Sequence, residues 1–161
     1  MDSDFRPIRV RYPAHKLKEV VWRLREVEDV PEGFHRGPVR SPEDVVRSYE
    51  WLFKDLAVEK LVVFLLNAKN NVNAIVPASS GTMNASLVHP REVFFAAIGG
   101  LACGVIVAHN HPSGDPEPSI EDVNVTKQLV ESGKVIGIPV HDHLIFGGHG
   151  RYVSMAERGL L

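Results

Sequence analysis

Apolar positions along the chain change their period several times, and each change marks an element. In AHKLKEVVWRLREVEDV, Leu17, Val20, Val21, Leu24 and Val27 recur at three- and four-residue steps, which predicts a helix with one buried stripe. Just before it, IRVRY alternates apolar and basic positions as a short edge strand does. PEGFHRGPVR, rich in Pro and Gly, separates an N-terminal extension (residues 1–40) from the main body (residues 41–161). SPEDVVRSYEWLFKDL opens with a serine in the cap position, a proline at the first helical position and acids in the first turn, so it predicts a helix. EKLVVFLLN is apolar without alternation, a buried strand, and AKNNVN turns the chain into a second strand, VNAIVPAS.

Further on, HPREVFFAAIGGLA predicts a helix with His89 as its cap, Pro90 at its start, and Gly99 and Gly100 near its end. GVIVAHNH is the next strand, and SIEDVNVTKQLVES a helix stopped by Gly133. IGIPV and HLIFGGHGRYVSM supply short strands and a hairpin, with a last short helix after them. Strands interleaved with helices make the fold class α/β, or mixed α+β, built on one sheet.

Composition narrows the picture. A chain of 161 residues that is 44% hydrophobic and 24% charged has room for one well-buried core and the make-up of an ordinary globular domain. Its longest apolar run, residues 58–66, is interrupted by Glu59 and Lys60 and is too short to span a bilayer. No apolar stretch at the N-terminus reads as a secretion signal. A net charge of −2 argues against the whole chain binding nucleic acid electrostatically. Arg6, Arg9, Arg11, Lys16, Lys18, Arg23 and Arg25 do cluster, but Glu19, Glu26, Glu28 and Asp29 lie among or just after them, the pattern of a solvated helix face. Cys103 is the single cysteine and sits in apolar sequence, so it is expected as a packed core thiol in a reducing cytoplasm.

The candidate chemistry lies in VIVAHNHPSGDPEPSIEDV. Strand residues two apart share a face, so His109 and His111 can project together while Asn110 points the other way. Pro112, Gly114, Pro116 and Pro118 stiffen the loop that follows, and Asp122 falls in the first turn of a helix that can reach back. Two imidazoles and one carboxylate leave a fourth tetrahedral position open, the donor set of a catalytic zinc site. Against this, SIED is also a capping motif, and SPED at 41–44 repeats its spacing with no histidine before it. His141 and His143, two apart around Asp142, could orient a metal ligand, but with no further ligand nearby a hydrogen-bonded structural role is the expectation. His15, His35 and His149 carry no special signal.

His109-x-His111, seven residues, Ser119, two residues and Asp122 together resemble the JAMM signature of JAB/MPN metalloproteases. HPREVFFAAI with the stretch from VIVAHNHPSGDPEPSIEDV to HDHLIFG resembles the RadC family in particular. The likeness runs from about Ser41 to the end and takes in LLNAKNNV and SMAERGLL, whereas the helix-hairpin-helix region of longer RadC proteins is not evident in residues 1–40. It implies a JAB/MPN domain, a cytidine deaminase-like sheet flanked by helices, with one zinc ion (Zn2+) per chain on His109, His111 and Asp122. Ser119 would stabilise an oxyanion, and a glutamate on an earlier strand would be the general base. The activity implied is hydrolysis of peptide or isopeptide bonds in a protein or peptide partner; the RadC label adds a DNA-repair alternative that the charge does not support. The family pattern usually carries Glu or Gln five residues before the Gly of a Gly-Thr pair, and that position here is Val76, which cannot take a proton. Glu92 is the nearest carboxylate in sequence. Val76 therefore keeps a second reading open, a metal-binding but catalytically weak interaction module. No membrane partner is expected, and the ends of a short sheet would let two copies pair as a homodimer.

Overall fold

β1 (Lys60–Leu66) and β3 (Gly104–Asn110) are the most continuously apolar segments, and both end up inside the sheet. The computed structural model, which describes residues 26–27, 30–31, 37–80 and 88–161, orders the strands β2-β1-β3-β4-β5, with β2 Val72–Ser80, β4 Val140–Phe146 and β5 Tyr152–Ser154. The strand and helix expected within the first thirty residues lie outside the described residues apart from isolated positions. Every residue of β3 is buried, because a strand covered on both faces has no solvent side for polar residues to occupy. β1 pairs antiparallel with β2 and β3, β4 pairs antiparallel with β5, and β3 and β4 are parallel. A parallel pair needs a crossover, and α3 (Ile120–Ile136) provides it.

Alternation along the strands divides the core in two. Leu61, Val63 and Leu65 with Val105 and Val107 face α2 (Pro90–Gly99) and α3, where Val93, Phe94, Ala97, Val125 and Leu129 meet them. Val62, Phe64 and Leu66 with Ile106 and Ala108 face the other side, covered by Val45 and Tyr49 of α1 (Pro42–Tyr49) and by Phe53 just beyond the 3-10 turn Glu50–Leu52. Phe53 stacks on Phe146 at a centroid separation of 4.6 Å. Each large apolar side chain buried this way contributes about 1.5–3 kcal/mol. Exposed pairs such as Lys134–Glu131 and Arg158–Glu117 contribute about 0–1 kcal/mol each. The two apolar clusters, not the surface ion pairs, hold the sheet.

Several expectations are corrected. α3 does not stop at Gly133 but continues to Ile136 and ends at Gly137, whose φ of 82° is left-handed. Gly133 serves packing instead: a Cβ there would lie 2.6 Å from the Ile138 carbonyl and 3.2 Å from the Phe94 ring. IGIPV is no separate strand, since Ile136 ends α3 and Val140 begins β4. Residues 155–159 form turns rather than a last helix. Cys103 is exposed, because the turn entering β3 passes through Leu101 at φ 52° and leaves Cys103 ahead of the buried strand. Ser41 and His89 occupy N-cap positions without a side-chain cap bond.

Candidate metal centre

β3 delivers the two histidines as its alternation requires. His109 follows Val105 and Val107 onto the α2/α3 face and is fully buried, while His111 lies one residue beyond the strand, its backbone N–H donating to Phe146 O at 2.8 Å. Asn110 points to the opposite face, accepting from Lys60 N at 2.9 Å and donating to Val58 O at 3.1 Å, so it ties down the segment entering β1.

α3 delivers the carboxylate. Its buried positions are Asp122, Val125, Thr126, Leu129 and Gly133, a helical stripe that turns Asp122 towards the end of β3. Ser119 and Asp122 form a complete capping box: Asp122 N donates to Ser119 Oγ at 3.1 Å, and Ser119 N and Oγ approach Asp122 Oδ2 at 2.7 and 2.6 Å. The same carboxylate reaches both rings, with Oδ1 3.2 Å from His109 Nε2 and Oδ2 3.4 Å from His111 Nε2. The cap and the candidate ligand are thus one residue, so the two readings of SIED hold together.

His109 Nε2 and His111 Nε2 are 3.0 Å apart, and one donor atom from each of the three residues falls within 4.8 Å of the other two. Tetrahedral bonds of about 2.0–2.1 Å place neighbouring ligands about 3.3 Å from one another, close to the His109–His111 and histidine–carboxylate separations here. His109, His111 and Asp122 are the one group among the described residues with the composition and spacing to hold a metal ion. Their electrostatics favour a cation as well. Burial alone would raise the Asp122 carboxyl, but hydrogen bonds from His109, His111 and Ser119 hold it well below the usual carboxylate range. The adjacent Asp122 carboxylate raises the His111 pKa against the opposing effect of burial.

Each ring also has an anchor on its far side. His111 Nδ1 donates to the Asp115 carbonyl at 2.8 Å. His109 Nδ1 meets His143 Nε2 at 2.9 Å, and His143 Nδ1 meets Thr126 Oγ1 at 2.6 Å. Burial pushes the His143 pKa down to about 3, with the His109 charge adding to the effect, so His143 is neutral. His143 is thus buried and hydrogen-bonded, with the His109 ring as one of its partners; His141, by contrast, is exposed.

Residues 39–160 match the family described as RadC-like JAB domain. The chain belongs to that family. Similar curated proteins are UPF0758 proteins: one of Caldanaerobacter subterraneus subsp. tengcongensis is 52% identical over 91% of this chain and 62% of its own length. Others, of Symbiobacterium thermophilum and Geobacter sulfurreducens, are 58% identical over 66% of this chain and 45% of the relative, and 46% identical over 75% and 52%. The chain therefore spans about half to three-fifths of the length of these relatives.

In this RadC-like JAB domain, Val76 pairs with Val63 in mid-strand and packs against the apolar cluster under α2 and α3. Glu92 is exposed in the first turn of α2 and does not line the site. Besides Asp122, the carboxylates that do are Glu59 and Glu121, of which Glu59 comes from the strand side of the site. It lines a cleft of about 370 Å³ together with His111, Pro112, Ser113, Ser119, Glu121 and Asp122. The sheet puts it there: β1 runs antiparallel to β3 with Leu61 opposite His109, so a residue two positions before Leu61 shares the face of the histidines.

Proposed function

We propose that the chain is a zinc-dependent hydrolase of peptide or isopeptide bonds. One observation carries the reading: buried His109 and Asp122 and half-buried His111 form a triad that opens onto a cleft also lined by Glu59. The donor set fits zinc by chemistry and by spacing, and when bound zinc supplies Lewis acidity that polarises an amide carbonyl and makes water a stronger acid. Glu59 then takes the proton from the attacking water and hands it to the departing amine. Ser119, whose hydroxyl now donates to Asp122 Oδ2, turns that proton towards the oxyanion as the carbonyl carbon becomes tetrahedral. A protein or peptide in the cytoplasm is the substrate in this reading, and Glu59 in the cleft supports hydrolysis over the catalytically weak module that Val76 suggests.

The test combines metal analysis with two variants. Wild type should carry about one zinc per chain, Asp122→Ala should lose it, and Glu59→Gln should keep it while losing activity by about 10²–10⁴-fold. A zinc-loaded wild type inert towards linear and lysine-branched peptide libraries would return the chain to the interaction-module reading. Full activity in Glu59→Gln would remove Glu59 from the mechanism.

A further inference from the structure

The contacts behind His109 form a chain whose direction can be worked out from its far end. The Asp122 backbone carbonyl, 2.6 Å from Thr126 Oγ1, has no proton to give. The Met155 thioether, 3.3 Å from the same hydroxyl, has none either. If the Thr126 proton went to His143, two oxygens would face each other at 2.6 Å with no proton between them. Thr126 therefore donates to Asp122 O and accepts from His143 Nδ1–H at 2.6 Å. A neutral imidazole has one N–H, so His143 Nε2 is a bare acceptor, and the proton in its 2.9 Å contact with His109 comes from His109 Nδ1.

We infer that Thr126 and His143 are positioning residues that hold a proton on His109 Nδ1, so that Nε2, the nitrogen turned to Asp122 and His111, is the one His109 frees for a metal. The inference rests on the metal-site reading and goes beyond it, because it assigns a purpose to two buried polar residues that touch neither the cleft nor the triad's ligand atoms. Both are fully buried, with no solvent to set the ring by other means. Asp122 closes the circuit: its side chain faces the site while its backbone carbonyl, one turn before Thr126, sets the direction of the chain that prepares His109. Orienting partners of this kind typically change metal affinity by about 10–100-fold when removed.

Thr126→Val keeps the shape and removes the hydroxyl. His143 Nδ1–H then has no acceptor, and the ring gains by moving its proton to Nε2 and donating to His109 Nδ1, which drives the His109 proton onto Nε2 and blocks it as a ligand. Long-range proton–nitrogen NMR of the zinc-free protein should find His143 protonated on Nδ1 in wild type and on Nε2 in Thr126→Val. Zinc affinity, read by chelator competition, should fall by about 10–100-fold in Thr126→Val and return in Thr126→Ser. A His143 protonated on Nε2 in wild type overturns the inference, as does unchanged zinc affinity in Thr126→Val or an equal loss in Thr126→Ser. A wild type that takes up no zinc overturns the proposed function, while its His143 tautomer still decides the chain; if Thr126→Val fails to fold, the wild-type spectrum decides it alone.

Discussion

The Asp122 carboxylate lies 3.2 Å from His109 Nε2 and 3.4 Å from His111 Nε2 where little water reaches, so protons on this group govern both metal uptake and stability. His111 is raised above its ordinary 6.5 by Asp122, and burial lowers His143 from 6.5 to about 3. The two shifts act on opposite sides of the same pH. Below 6.5 the unfolded chain takes up a proton on His143 that the native state refuses, so stability falls as the pH drops towards about 3. The His111 contribution is fully present below 6.5 and is lost as the pH rises through its raised value, because the unfolded chain there gives up the proton the native state keeps. Asp122 titrates below its ordinary 3.8 and does not enter this window. The metal-free protein should therefore melt highest near pH 6.5, as thermal scans from about pH 4.5 to about pH 8.5 would show, and His143→Gln should flatten the acid side. A curve rising or falling steadily through that range would contradict the assignment. Zinc competes with the proton on His111, so its affinity should increase over the same rise in pH.

At the scale of elements, two motifs that the sequence renders alike behave differently. SPED and SIED both start helices, yet only Ser119 accepts the cap bond from the residue three ahead. Asp44 is occupied elsewhere, accepting from Arg40 N at 2.9 Å and pairing with Arg47 at 2.5 Å. Ser119→Ala should accordingly cost about 0.5–2 kcal/mol in denaturant unfolding, while Ser41→Ala should stay within about 0.5 kcal/mol of wild type. Equal costs would mean that the two caps are equivalent after all. The comparison also marks how far the sequence was legible. Hydrophobic period located β1, β2, β3, α2 and α3, and His-x-His at the end of an apolar run pointed to the site, because burial on one face leaves a local trace. Glu59 and the His143 contact left none. Each depends on which strand lies beside β3 and in what register, and that is set by the assembled sheet, not by neighbours in the chain. Gly133 misled for the same reason: a helix-stopping residue by propensity, it is retained mid-helix for its closeness to Phe94.

For the molecule as a whole, the site forms where three chain ends converge: the C-terminal end of β3, the segment entering β1 and the first turn of α3. Open sheets with parallel strands characteristically bind ligands beyond the carboxyl ends of those strands, and here β3 and β4 are the parallel pair. What completes the site is the turn that joins β4 to β5, which acts on the loop before α3. Gly148 N and Arg151 Nη2 donate to Gly114 O at 2.9 and 2.6 Å, holding the loop of residues 112–118. That loop carries Asp115, whose carbonyl receives the His111 ring at 2.8 Å. A Cβ on Gly147 would stand 2.6 Å from Gly114 O and 2.7 Å from Pro116 Cδ, so the loop would have to move. Since a rigid backbone contact and a proline ring cannot yield cheaply, Gly147→Ala should shift Asp115 away from His111 and weaken zinc binding by about 10-fold or more. Circular dichroism should be unchanged, because the substitution lies outside the helices and strands. Chelator competition on this variant separates two pictures of the site. A loss would show that the hairpin orients His111 through the loop, whereas full affinity would show that β3 and α3 alone are sufficient to pose the triad.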